Sequence, residues 1–309
     1  MDKIFSLAQV VLPILLSVLL GMLARKKEIL SSVEVQGLQT FVLNICLPCL
    51  LLRSCLTADL GPQTLTSMAM LIPFLLLSTL WAFFKGRKQF PYHNLPMLMC
   101  CKETGMIGLP MFMLLFGTEN AFYMGVLDLA QAPLVYLVMG ILSSADGKSA
   151  SGWDILKQML RSPLMLTSLT GIVLNLLGVW DWLQAVGAGT AVTETLGFLS
   201  QPVSMIMLFC VGYYFSLGRE NIGPVLKLSA VHFAYFAVVA IVLQLLVKLL
   251  PDIPELTRWA LLFYCLLPAS YLASGMGRSE EDSIAASGVC SVLTMVCLVA
   301  FACLAAVAA

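Results

Sequence analysis

Apolar stretches of roughly 20 residues recur ten times along this chain, each long enough to cross a hydrocarbon core about 30 Å thick. They run Phe5–Leu23, Leu38–Thr57, Leu65–Phe84, Leu95–Phe116 and Ala121–Ser143 in the first half. Ser162–Val179, Thr195–Phe215, Val225–Leu250, Trp259–Gly275 and Ile284–Val307 follow in the second. No water-soluble fold can hide so much apolar surface, because 60% of the residues are hydrophobic and only 11% charged. Soluble domains run about 45–50% apolar and about 25% charged. The expectation is an all-α membrane protein of ten transmembrane helices, in contact with the lipid bilayer.

Loop charges set an orientation. Arg25, Lys26, Lys27, Lys85, Arg87, Lys88, Lys148, Lys157, Arg161, Arg219, Lys227 and Arg278 follow odd-numbered spans. Only Lys3, Arg53, Lys248 and Arg258 lie on the other side. The bias predicts both termini on the extracytoplasmic side of a plasma (inner) membrane. Arg25-Lys26-Lys27 follow the first apolar run rather than precede it, which predicts an uncleaved span rather than a signal peptide. The longest loop, Ser144–Arg161, is expected to hold a short amphipathic segment. Formal charge is zero and no basic face exists, so no nucleic-acid partner is expected.

The ten cysteines fall mostly inside apolar runs and read as small hydrophobes; Cys46 and Cys49 have CxxC spacing but flank Pro48 in an apolar helix. His93 and His232 are too few and too separated for a metal site. No HExxH and no Gly-x-Ser-x-Gly elbow occurs, so neither an enzyme nor a cofactor is expected.

Residues 1–150 and 151–309 read as two five-helix repeats. Pro110 and Gly117 match Pro268 and Gly275 at an offset of 158; Pro48 matches Pro202 at 154, and Leu20-Gly21 matches Leu177-Gly178 at 157. Polar residues recur beside the matched prolines, Asn44 in one half and Ser200-Gln201 in the other. Five spans per half is odd, so the second half is expected to be inverted, as in secondary transporters that work by alternating access.

Spans 4 and 9 are the weakest by hydropathy. Span 4 carries Lys102, Glu103, Thr104, Gly105, Gly108 and Pro110; span 9 carries Pro268, Ser270, Ser274, Gly275 and Gly277. Proline removes a backbone donor, and a broken helix survives in a membrane only beside protein or a water-filled cavity. Half-helix N-termini would offer free N–H groups to an anionic substrate. Charged side chains at mid-membrane cost about 2.5–3.5 kcal/mol even on the gentler insertion scale, so Lys102, Glu103 and Asp128 require a reason. Two readings stay open for Lys102: a coupling residue, or a lysine snorkelling to the interface. Asp128 and Gln131, three apart, share a helix face, either for function or for an interhelical hydrogen bond.

At these residues the sequence resembles the auxin efflux carrier family, bacterial members included. Thr104–Pro110 through Leu115-Phe116-Gly117 is similar to the family's span-4 motif; Leu47-Pro48, Gly171–Gly178, Pro202–Gly212 and Leu267-Pro268 to Ala286 are also similar. The resemblance implies a fold like sodium/proton antiporters and bile-acid symporters, with two discontinuous helices crossing at mid-membrane and organic anions carried by an elevator-like motion. By resemblance Pro110 marks the crossover in span 4, and Gln131 lies near the substrate path. Two departures stand out. Glu103 replaces an asparagine frequent in the family, which points to proton or cation coupling or to a different substrate. Leu65–Phe84 has no acidic residue where plant members do.

The expectation is therefore a carrier of a small organic anion such as a carboxylate. Glu103, Thr104, Gly108, Pro110, Gln131, Pro268, Ser270 and Asn44 are expected to line the substrate site. Glu103, Asp128 and Lys102 are expected to serve coupling to a proton or sodium ion, and a homodimer is the expected form of any assembly. The alternatives are a cation- or proton-coupled symporter of another solute, and a channel-like or sensor protein.

Overall fold

The computed structural model describes residues 2–145, 151–215, 222–250 and 253–308. Lys148 and Arg219, two of the loop cations, and Ala150 at the expected domain boundary lie outside these residues. The described residues are helical apart from short connections and one isolated antiparallel bridge, Lys102 to Ala269.

Helix α1 (Asp2–Lys26) is followed by α2 (Ser32–Leu56) and α3 (Thr66–Gln89). Span 4 is divided into α4 (Leu95–Cys100) and α5 (Thr104–Phe116). Next come α6 (Thr118–Ser144), the short α7 (Gly152–Leu160), α8 (Pro163–Leu176), α9 (Val179–Ala185), α10 (Gly189–Tyr214) and α11 (Ile222–Leu249). Span 9 is divided into α12 (Glu255–Leu266) and a 3₁₀ turn, Tyr271–Met276; α13 (Glu280–Ala308) closes the chain. Helices α2, α3, α6, α10, α11 and α13 are each long and apolar enough to cross a membrane, and α7–α8, bent by 67°, would make a seventh. Their outer faces are apolar: Leu15, Leu19, Leu77, Leu80, Leu166, Val238, Ile241 and Leu245 are exposed. Such surface is stable only against lipid, and the protein is a multi-pass helical membrane protein.

Helix pairing depends on close backbone approach. A Cβ at Gly21 would lie 2.0 Å from the Phe209 carbonyl oxygen, and one at Gly212 would lie 2.0 Å from that of Val18, so α1 and α10 touch backbone to backbone. Gly171 of α8 does the same against α2, its Cβ position falling 2.7 Å from Cys55 Cβ. Small residues drive helix association where lipid removes the hydrophobic incentive. Gly178, matched to Gly21 in the sequence repeat, does not pack in this way; at φ +72° it turns the chain from α8 into α9. The pairing of α8 with α2 is reinforced by Asn175, whose Nδ2 donates to the carbonyls of Cys55, Leu56 and Ala58 at 2.8–3.1 Å. These are orphan acceptors at the C-terminal end of α2.

Helix α7 is the amphipathic segment expected in the long loop. Ser151 caps it with a reciprocal bond to Asp154, Trp153 is exposed, and Ile155 packs where a Cβ on Gly140 of α6 would stand.

Candidate functional site

The interruption in span 4 falls at Cys101–Glu103, upstream of both glycines and well before Pro110. Proline was the strongest local cue, yet Pro110 is absorbed inside α5. The turn before it is a π turn, Thr104–Gly108, closed by the Leu109 N–H on the Thr104 carbonyl, and this wider turn carries the helix past the missing donor. Gly108 is buried and admits the second broken segment, since a Cβ there would stand 2.7 Å from Leu267 Cδ1. Pro268 does lie at its crossing.

Every backbone group of the first break finds a partner, as a buried extended segment requires. Ser270 N–H donates to the Cys101 carbonyl at 2.9 Å and Glu103 N–H to the Pro268 carbonyl at 3.0 Å, so the two broken spans cross through a single antiparallel bridge, Lys102 to Ala269, closed by two hydrogen bonds. The other edge is served by one side chain. Gln131 Oε1 accepts from Lys102 N–H at 2.9 Å, and its Nε2 donates to the Lys102 carbonyl at 3.2 Å. Tyr264 Oη donates to the same Oε1 at 2.7 Å. Gln131 therefore stands in for a neighbouring strand.

Side chains alternate along an extended segment, and Lys102 and Glu103 point opposite ways. Lys102 is 2% exposed, which removes the snorkelling reading. Its ammonium donates to the Leu267 carbonyl at 2.9 Å, meets His232 Nε2 at 2.8 Å, and lies 3.4 Å from the centroid of the Phe236 ring. It thus sits at the carbonyl-rich C-terminal end of α12. Glu103 turns to the amide end of the following 3₁₀ turn, where Oε2 accepts from Ser270 Oγ at 2.7 Å and from Tyr271 N–H at 2.9 Å. Adjacent residues of one span thereby neutralise both dipole ends of the other. The amide end expected to be free for an anionic substrate is occupied by the protein's own carboxylate.

Glu103 also faces a cavity of about 350 Å³. Its other polar lining includes Thr104, Asp128, Gln131, Ser270 and Gln158, with the apolar Leu43, Val135 and Met165. Asp128 Oδ1 accepts from Gln131 Nε2 at 2.8 Å and from the Thr104 hydroxyl. The cavity thus presents two carboxylates, and the one basic residue among the described residues of its wall, Lys102, spends its ammonium on the opposite side. Such a site suits a cation, or a proton shared with bound solute.

Among the residues singled out from sequence, the structure brings together Lys102, Glu103, Thr104, Asp128, Gln131, Pro268 and Ser270, with Gly108 packed behind them. Pro110 lies farther along α5. Asn44 does not join them: it is on an exposed face of α2 with Nδ2 on the Thr40 carbonyl at 2.9 Å. His232 and Tyr264 were missed. They are 130 and 162 residues from Lys102 in sequence, and a lone histidine or tyrosine in an apolar helix carries no local cue.

No family model matches the sequence. Over 213 residues the chain is 26% identical to a protein of Methanothermobacter thermautotrophicus (strain ATCC 29096 / DSM 1053 / JCM 10044 / NBRC 100330 / Delta H) described as an uncharacterized transporter, with 66% of each chain covered. The match therefore spans just under two thirds of that relative's length.

Proposed function

We propose that this protein is a secondary transporter that moves a small organic anion, such as a carboxylate, across the plasma membrane by alternating access. In this reading residues 1–150 and 151–309 are two inverted five-helix repeats with both termini outside. The observation that carries it is the crossing of two interrupted helices beside a polar cavity, since unwound backbone at membrane depth is kept where a solute path needs it. The recurrence of equivalent helix pairs supports the repeat: α1 with α10 and α8 with α2, α3 with α6 and α11 with α13. Similarity to a protein described as a transporter, and the resemblance to auxin efflux carriers, point the same way.

Glu103 and Asp128 would hold the coupling proton or sodium ion. Two carboxylates facing one cavity attract a cation or proton and repel an anion until they are neutralised, so occupation of the acid pair by the coupling ion would favour binding of the anionic cargo to the protein. A second reading is favoured by the same cavity: a cationic solute held directly by the acid pair.

Two measurements test the proposal. In proteoliposomes, Glu103→Gln should flatten the pH dependence of uptake; an unchanged profile removes Glu103 from coupling. In a variant whose sole cysteine is Cys101, which lines the cavity, a membrane-impermeant thiol reagent should label from either face, one at a time. Simultaneous access from both faces indicates a channel, and access from neither face ends the carrier reading.

A further inference from the structure

The acidic cavity leaves a problem for an anionic cargo, because no side-chain cation among the described residues faces it. A second cavity, of about 320 Å³, lies at the other end of α5. The first is lined by Thr104 and Gly105 at the start of that helix, the second by Met113 and by Thr118 just beyond its end. At 1.5 Å rise per residue, the eight residues from Gly105 to Met113 separate the two by about 12 Å along the helix.

Arg53 of α2 projects into this second cavity with Thr118, Ser200, Gln201 and Ser204. Its guanidinium lies against the bare backbone of Gly197, where a Cβ would stand 2.9 Å from Nη1. Among the described residues it donates no hydrogen bond and makes no ion pair, and Glu194, the carboxylate in the same wall, is exposed and outside ion-pair distance. Lys102, the cation of the crossing, is fully committed. A partly buried guanidinium with all its donors open, ringed by hydroxyl and amide groups, matches the planar fork of a carboxylate.

We propose that the Arg53 cavity is an oxyanion subsite that takes the carboxylate of the cargo, at the opposite end of α5 from the acid pair. This rests on the organic-anion reading above. Binding and coupling are then divided between two cavities, with Arg53 holding the anion and Glu103 and Asp128 the cation.

The test is ligand-induced thermal stabilisation of the purified protein in neutral detergent. Acetate, lactate, succinate and citrate are compared with chloride at equal ionic strength, in wild type, Arg53→Gln and Arg53→Lys. At least one carboxylate should stabilise the wild type, with half-saturation about tenfold or more weaker in Arg53→Gln and intermediate in Arg53→Lys. A repeat in nanodiscs with and without phosphatidylglycerol distinguishes free carboxylate from a lipid phosphate. Stabilisation that persists in Arg53→Gln overturns the proposal. So does a wild type that ignores every carboxylate, and so does competition by phosphatidylglycerol that depends on Arg53, which would assign the site to lipid. Monodisperse elution of Arg53→Lys separates lost binding from lost fold. The outcome is read without transport, so Arg53 can fail while the pH dependence of uptake and Cys101 labelling still support a carrier, and the reverse.

Discussion

Replacing Glu103 by alanine should be much worse for the fold than replacing it by glutamine, and the difference can be worked from the crossing. Glu103 Oε2 accepts two hydrogen bonds, from Ser270 Oγ at 2.7 Å and Tyr271 N–H at 2.9 Å. Bonds to a charged acceptor contribute about 1.5–3 kcal/mol each, and burying the carboxylate costs several kcal/mol in return. Glutamine removes the charge, and with it that cost, while keeping a carbonyl oxygen for both donors; its net change should stay within about 1 kcal/mol. Alanine also removes the charge but leaves both donors without an acceptor. The Ser270 hydroxyl can rotate, whereas the Tyr271 amide cannot, and an orphaned buried amide costs about 1–3 kcal/mol. Alanine should therefore lie about 2 kcal/mol below glutamine, or about 4–8 °C in melting temperature at roughly 2–4 °C per kcal/mol. Size-exclusion elution after heating of detergent-solubilised variants measures this directly. Equal melting of the two variants would show that Glu103 does not cap the 3₁₀ turn, and the account of the crossing would fall with it.

Three further outcomes follow from the same geometry. Gln131→Ala leaves the Lys102 N–H without an acceptor and takes one of two donors from its carbonyl, which keeps the Thr104 N–H at 2.9 Å; it should destabilise by about 1–3 kcal/mol, read as a lower midpoint of thermal aggregation, and a midpoint equal to wild type contradicts the strand-substitute role. Lys102→Met should cost about 2–4 kcal/mol by uncovering the Leu267 carbonyl, and Lys102→Arg should not rescue it, because the ammonium is already held 2.8 Å from His232 Nε2 and 3.4 Å from the Phe236 ring centroid and a guanidinium is bulkier. Gly21→Val places a branched side chain where a Cβ is already 2.0 Å from the Phe209 oxygen; it should lower yield and melting temperature by more than ordinary overpacking does, about 3 kcal/mol or beyond, whereas Gly37→Ala, with open space around it, should be silent.

The multi-pass helical character and the two interruptions were legible because they rest on composition within a window of about 20 residues: long apolar runs, broken where glycine, proline and charge gather, with six helices and one bent pair among the described residues long and apolar enough to cross a membrane. The position of the first interruption was not. Pro110 and Gly108 are stronger local breakers than Cys101-Lys102-Glu103, but what fixes the extended backbone is its partners, Gln131, Pro268 and Ser270, and those pairings are tertiary. The same holds for Lys102, whose partners are 130 and 165 residues away. A lysine in an apolar run announces a cost without saying who meets it. Asn44 and Asn175 show the converse. Both are polar residues in apolar helices, and only the fold decides that one turns outward onto its own helix while the other ties α8 to the end of α2.

Because Lys102 and Glu103 are neighbours facing opposite ways, the crossing is keyed by polarity. Shifting this stretch by one residue would bring either the Glu103 carboxylate to the carbonyl end of α12 or the Lys102 ammonium to the amide end beyond it, turning one attraction into a repulsion and losing the other, since Thr104 or Cys101 would then fill the second place. A one-residue insertion or deletion between Met99 and Lys102 should therefore be less tolerable than any single substitution there, since no side-chain rearrangement could undo the reversal.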